Sequence, residues 1–407
     1  VLFINGNKLL NMKYRYIPII LFVFISCVAC EKDGKLQPHL TDLGIPEIIS
    51  FEPRSGKPGT SVHIKGNNFS DHPVKITVYV GNWKAAVSFH SMHDLYFVVP
   101  DPVITTSGNI YVEIGGKIGI SASDFTIITP WAVKARFPGD RNYSTRTFVL
   151  NGKGYIIDTY ISQQGIRKNA LWVYDPALDV WSTKADMPGD ARRYATDFTI
   201  DNKAYVGLGY GDNDNTGGYL KDFWIYDPDA DSWNKIADYP GELKKNALGF
   251  QVGGKGYVAE GYNDTNYSSE LWEYDPVLNS WTQKNILPFR VSNAIELSGK
   301  TYIADYYGNI YSYFPSLDSL YKITSNRAII TFQWFALQES LYFFSPDPNY
   351  NGAWSYNCSN DTWSDLTGPF PFKGFISRLN FSTDTIGFCI VLDDNGKMYG
   401  FTPGNLR

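Results

Sequence analysis

Histidine is nearly missing from this chain. Its 407 residues hold five, His39, His63, His72, His90 and His93, all before residue 94. Chemistry in the remaining three-quarters must work without imidazole, the commonest general base and metal ligand. Cysteine is equally scarce, at four residues, and the spacing of Cys358 and Cys389 leaves open whether they pair. There is no basic excess: 36 Lys and Arg face 41 Asp and Glu, for a formal net charge of -5. That balance argues against nucleic acid as a partner. No GxSxG, HExxH or P-loop pattern occurs, so the corresponding hydrolase and nucleotide chemistries have no motif to stand on.

Aromatic residues are abundant instead, at 16%, alongside 36 Gly and 22 Pro. This composition favours strands and tight turns over helices. Apolar residues at 43% and charged residues at 19% describe a globular chain, and its length allows two or three domains.

Residues 1–30 read as upstream sequence and an export signal. Lys13 and Arg15 precede an apolar run from Ile17 to Val28, about 12 residues long and short of the ~20 needed to span a bilayer. The segment SCVAC followed by Glu31, Lys32 and Asp33 resembles a bacterial lipobox with Cys30 as the acylated residue. It departs from that pattern in having Cys27 where Leu is usual. The acidic run resembles Bacteroides-type surface lipoproteins, which implies a protein exported, lipid-anchored at the outer membrane and surface-exposed. Residues 31–44 read as a polar tether.

From residue 45 to 129, strand-like pieces alternate with Gly and Pro turns: EIISFEP, SVHIKG, VKITVYVG, LYFVVP, NIYVEIGG and DFTII. The spacing predicts an immunoglobulin-like β-sandwich. The opening PEIISFEPRSGKPGTSVHIKGNNF, with Pro46, Ile48, Pro53, Gly56, Gly59, Val62, Ile64, Gly66, Asn68 and Phe69, resembles the IPT/TIG family. That resemblance implies a spacer.

Residues 131–407 repeat six times. One series is LWVYDP, FWIYDP, LWEYDP, IYSYFP, AWSYNC and MYGFTP; another is marked by Tyr155, Tyr205, Tyr257, Tyr302, Tyr342 and Phe388. A third pairs a Trp with a Pro seven residues on, in Trp181/Pro188, Trp233/Pro240 and Trp281/Pro288, with Tyr321 and Trp363 at the Trp position of the next two repeats. The period and four strand-like pieces per unit predict a six-bladed β-propeller. The last repeat has three strands, and Trp131 to Pro138 repeats the seven-residue step, so this N-terminal strand is expected to close the ring. The whole is all-β: a sandwich, then a closed propeller. The repeats resemble Kelch repeats of the galactose-oxidase-like type, but lack the family's Gly-Gly, of which only Gly209 and Gly261 remain. A copper centre like galactose oxidase's is excluded, because this region has no histidine.

Short, stereotyped turns on one propeller face contrast with long, irregular loops on the other, where binding usually resides. Five residues past the second-strand marker come Tyr160, Tyr210, Tyr262 and Tyr307, replaced in the last two repeats by Asp347 and Asp393. Three past it come Asp158, Glu260 and Asp305; twelve before it come Tyr143, Arg193, Lys245 and Arg290. Phenols with cations and carboxylates suit a polyhydroxylated ligand, because aromatic faces cover sugar C–H surfaces and charged groups bond hydroxyls. Tyr143, Tyr160, Arg193, Tyr210, Lys245, Glu260, Tyr262, Arg290, Asp305 and Tyr307 are therefore the candidate ligand-binding residues. The segment Asp212 to Gly218 lacks the terminal Glu of a Ca²⁺ loop and reads as solvated; no metal or cofactor is expected.

The leading expectation is a non-catalytic, cell-surface glycan-binding lipoprotein of a polysaccharide uptake system. The alternative is a sugar-modifying enzyme similar to the sialic-acid mutarotases and epimerases, with Glu260, Arg193 and Arg290 as its catalytic set. Adhesion to other surface proteins through the loop face is a third.

Overall fold

The computed structural model describes residues 44–405, except 72–74, 103, 140–145, 162–166, 212–217, 325–332, 346–351, 367–379, 384 and 392–396. The export signal, Cys30, residues 31–43, Tyr143, Asp347, Asp393 and residues 212–217 thus lie outside the described residues, as does the side chain of Tyr160. Among the described residues there is no α-helix; strands joined by turns make the whole fold.

The sandwich is built from strands whose alternate residues are buried. Glu47–Glu52 pairs with Ser61–Asn67, which pairs with Asp94–Val98. Ile76–Val80 pairs with Thr106–Ile114, and that strand with Lys117–Ile127. Val62, Ile64, Phe97, Val112 and Phe125 are fully buried between them. Two details differ from the sequence reading. Trp83–His90 is an additional strand that bonds to both Ile76–Val80 and Asp94–Val98; its Trp83 and Phe89 are exposed, which hides the usual alternation. DFTII is the end of the eleven-residue strand Lys117–Ile127, whose pairing shifts register between Asn109 and Tyr111.

Six four-stranded antiparallel sheets follow. Their innermost strands are Arg146–Leu150, Thr196–Ile200, Leu248–Val252, Val291–Leu297, Gln333–Leu337 and Asn380–Ser382. Each packs against the next, and the sixth against the first, so the ring is closed. The sixth sheet takes its outer strand from Trp131–Lys134, with Trp131 opposite Phe401 and Lys134 opposite Met398. Closure by the N-terminal strand leaves no sheet edge along the ring's seam.

The repeated aromatics are core. Tyr155, Tyr205, Tyr257, Tyr302, Tyr342 and Phe388 are all buried, as are the third-strand residues Tyr174, Tyr226, Tyr274, Tyr313 and Tyr356. The latter rings also latch blade to blade. Tyr226 Oη donates to Asp231 Oδ1 at 2.8 Å, and the same oxygen accepts the Ala185 N–H at 2.9 Å. Trp233 Nε1 donates to the Ala185 carbonyl at 2.9 Å. Tyr174, Asp179 and Trp181 hold Ala135 the same way, and Tyr274, Asn279 and Trp281 hold Ala237. Each acceptor sits at a turn tip with left-handed φ, +45° at Asp231, +49° at Asn279 and +55° at Asp179, a conformation Asn and Asp tolerate.

One repeat assignment is corrected. Trp181, Trp233, Trp281 and Trp363 stand opposite Tyr174, Tyr226, Tyr274 and Tyr356. In the fourth blade the residue opposite Tyr313 is Leu320, not Tyr321. A one-residue slip moves a strand residue to the other face, and Tyr321 is 71% exposed while Leu320 packs in the core. Cys358 and Cys389 are both free, in separate core clusters.

Candidate functional site

The inner strands enclose an axial cavity of about 780 Å³, within the range of small-molecule sites, ~300–1,000 Å³. Its wall carries two arginines, Arg146 and Arg290, and four carboxylates, Asp197, Glu260, Glu296 and Asp305. Asn246, Tyr262, Tyr267 and Tyr306 add an amide and three phenols toward the long-loop side.

Glu260 ends the second strand of the third blade in a left-handed conformation, φ +54°, followed by Gly261 at φ +96°. A Cβ on Gly261 would meet Ala247 at 3.1 Å, so the turn needs glycine there. The second blade turns identically at Leu208 and Gly209. Strained backbone of this kind aims the Glu260 side chain into the cavity at a cost of roughly 1–2 kcal/mol. Arg290 Nε donates to Glu260 Oε1 at 2.9 Å, and its guanidinium lies 3.7 Å from the Tyr267 ring centre and 4.5 Å from that of Tyr306. Burial pushes the Glu260 carboxyl up, against the pull of Arg290.

A second group forms on the rim of blades two and three. Tyr210 pairs with Arg193, and Lys245 with Tyr262, through the backbone. Lys245 Nζ stands 5.1 Å from the Tyr262 ring, 5.4 Å from Tyr210 and 5.6 Å from Tyr219. It also bonds Asp264 Oδ1 at 3.3 Å, which accepts from Tyr219 Oη at 2.7 Å. The Lys245 ammonium is thus held by the protein's own rings and acid. Asn246 Nδ2 donates to Tyr262 Oη at 3.3 Å, linking this rim to the cavity.

The expected residues therefore separate. Glu260, Tyr262, Arg290 and Asp305 line the cavity; Arg193, Tyr210, Lys245 and Tyr307 do not. Tyr307 is 80% exposed, and its neighbour Tyr306 lines the cavity instead. The Asp305 carboxylate accepts from the Tyr307 and Asn309 amides, from Asn309 Nδ2 and from Tyr311 Oη, which fixes a turn. Arg193 and Lys245 each follow another basic residue, and that preceding residue is structural. Arg192 is buried and bidentate with Asp222, at 2.9 and 2.7 Å. Lys244 is buried against Ser268 and Glu270, and burial pushes its pKa down to about 8.

Arg146, Asp197, Asn246, Tyr267, Glu296 and Tyr306 line the cavity and were not singled out by sequence. Arg146 donates to the Ala195 carbonyl through Nε and to Asn246 Oδ1 at 3.2 Å. Asp197 lies within the channel wall yet opens on the cavity. Removal from bulk water pushes its pKa up to about 6, and the Arg146 charge only partly opposes this.

Residues 46–127 match the IPT/TIG domain family. Comparison with curated proteins finds no match. Among solved structures, YjhT covers 65% of this chain and 94% of its own, at 17% identity and a TM-score of 0.48. An auxiliary nutrient binding protein from Bacteroides thetaiotaomicron VPI-5482 covers 88% of this chain and 97% of its own, at 14% identity and a TM-score of 0.47. Another so described, from Bacteroides ovatus ATCC 8483, covers 89% of this chain and 99% of its own, at 14% identity and a TM-score of 0.42.

Proposed function

We propose that this chain is a non-catalytic glycan-binding protein of the cell surface, part of a polysaccharide uptake system, with its ligand at the loop-face mouth and axial cavity of the propeller. The observation that carries this reading is the make-up of the cavity: phenol faces from Tyr262, Tyr267 and Tyr306 beside directional donors and acceptors from Arg146, Asn246, Glu260 and Arg290. Sugars need both, because their C–H faces are apolar and their rims are hydroxyl. Two arginines set against four carboxylates favour a neutral glycan over an acidic one. Residues 1–30 supply export and acylation at Cys30, residues 31–44 a tether, residues 45–129 a spacer and residues 131–407 the presented propeller. Such an anchor would attach the chain to the outer membrane without a spanning segment.

The mutarotase-type alternative has less support. Glu260 is already bonded by Arg290, and Arg193 is not among the cavity-lining residues. Titration calorimetry of the purified protein with cellohexaose, xylohexaose, maltohexaose and mannohexaose tests the proposal. At least one of these should bind without being altered, and Tyr262→Ala should weaken it several-fold, a loss on the order of 1 kcal/mol, with the melting temperature unchanged. Silence from all four hexaoses, or turnover of one, would overturn the reading.

A further inference from the structure

Three of the four carboxylates in the channel wall already have partners. Glu260 is bonded by Arg290, Glu296 accepts from Gln251 Nε2, and Asp305 is taken up by its turn. Asp197 is different. Among the described residues none hydrogen-bonds or ion-pairs with its carboxylate, and Arg146 acts on it only through space. It is half-buried on the cavity wall, so both of its oxygens are open to donors that a ligand in the cavity would bring.

We propose that Asp197, together with Arg146 and Asn246, forms a subsite inside the channel wall for a vicinal diol of a neutral sugar. An ionised carboxylate only accepts, and its two oxygens match two adjacent hydroxyl donors. Arg146 Nη2 donates to Asn246 Oδ1 at 3.2 Å, which sets the guanidinium and the amide side by side on the same wall as polar neighbours for the sugar's hydroxyls. Charge-assisted bonds of this kind are roughly twice as strong as neutral ones, and the low dielectric of the wall strengthens them further. The Arg146 charge beside Asp197 discourages an ammonium ligand, and the surplus of carboxylates discourages an anion. A neutral polyol satisfies both constraints. Three successive inner-strand regions contribute: Arg146 from the first blade, Asp197 from the second, and Asn246 from the link into the third. Binding there would require the sugar to enter the channel rather than lie across the rim.

This inference rests on the propeller being a glycan receptor, and one experiment separates the two. The four hexaoses named above are titrated into wild type, Asp197→Asn and Tyr262→Ala near neutral pH and at about pH 5. For the hexaose that binds best, Asp197→Asn should raise Kd at least tenfold near neutral pH. Wild-type affinity should also fall in acid as Asp197 takes up its proton, and the Asn variant should lose that part of the pH dependence. The ionisable groups sharing the cavity, Arg146, Arg290, Glu260, Glu296 and Asp305, are the same in both proteins. If Asp197→Asn folds poorly, Asp197→Ser is the second variant, with the same rise in Kd and the same loss of pH dependence expected. Unchanged affinity in Asp197→Asn, with weakened binding in Tyr262→Ala, would overturn the subsite and leave the receptor standing. If no hexaose binds wild type, both fall.

Discussion

Replacing Asp197 with Asn takes one charge out of the channel wall and keeps its shape, and it should make the protein more stable at neutral pH. The folded carboxyl titrates at about 6, against 3.8 when free, because the wall excludes bulk water and Arg146 compensates only in part. At about 1.36 kcal/mol per pH unit, that difference means ionised Asp197 costs about 3 kcal/mol of stability at neutral pH. The sign follows from counting protons. Between pH 3.8 and about 6 the folded state holds a proton that the unfolded chain has already lost. Stability contributed by this group is therefore full below 3.8, falls as pH rises through that window, and is level above it. The gain from Asp197→Asn should be greatest near neutral pH and shrink toward about pH 4. Other groups do not confuse the comparison. Strands packed against that of Asp197 bring Arg146, Lys203, Tyr205, Lys255 and Tyr257; the lysines are tied to Asp227 and Asp275, and both tyrosines are pushed up, away from this range. Thermal or denaturant unfolding of both proteins across this range gives the difference directly, as several degrees in Tm near neutrality. A wild-type-minus-variant difference that does not change with pH would refute the argument, because it would mean that Asp197 is solvated as in the unfolded chain.

The blade latch gives a second stability test. Asp231→Ala removes the acceptor for both Tyr226 Oη and the Ala185 amide and should cost ~2 kcal/mol, whereas Asp231→Asn keeps an acceptor and should cost much less; equal melting temperatures for Asp231→Ala and wild type would contradict the latch. For the proposed anchor, Cys30→Ser should abolish incorporation of labelled fatty acid and release the protein from membranes. Label that persists in this variant would move the acceptor to Cys27.

The ring was readable because its core is written in large aromatics at fixed register. Tyr155 to Phe388 mark the second strands, and the partners of Tyr174, Tyr226, Tyr274 and Tyr356 mark the fourth. Even the closing strand carries its marker, Trp131, opposite Phe401. Reading failed where the marker was absent or doubled. With Leu320 in place of Trp, the eye moves to Tyr321, one residue on and on the wrong face. Trp83–His90 failed for a related reason: its aromatics face solvent, and its bonding to both halves of the sandwich is not a pattern in the residues.

The candidate site was only half readable, and the missing half has a structural cause. Counting from the second-strand tyrosine finds residues that enter or leave the blade at the rim, which is how Lys245, Tyr262, Glu260 and Arg290 came into view. On the inner strand a Phe stands opposite that marker in five blades, Phe148, Phe198, Phe250, Phe335 and Phe381, but the channel-facing residues on either side of it follow no common column. Arg146 stands opposite Ile157, two past Tyr155, whereas Asp197 stands opposite Val206, one past Tyr205. They occupy different columns of the repeat. The place in the third blade that matches Asp197 is Gly249, opposite Val258, where a Cβ would sit 2.0 Å from the Asp197 carbonyl oxygen. Glycine there lets the third blade close on the second beside Asp197, and this helps exclude water from that wall. Repeats conceal such a site because each blade contributes something different to it: a guanidinium, a carboxylate, an absent side chain. A repeat alignment sees those as exceptions, whereas a ligand on the propeller axis would meet them together.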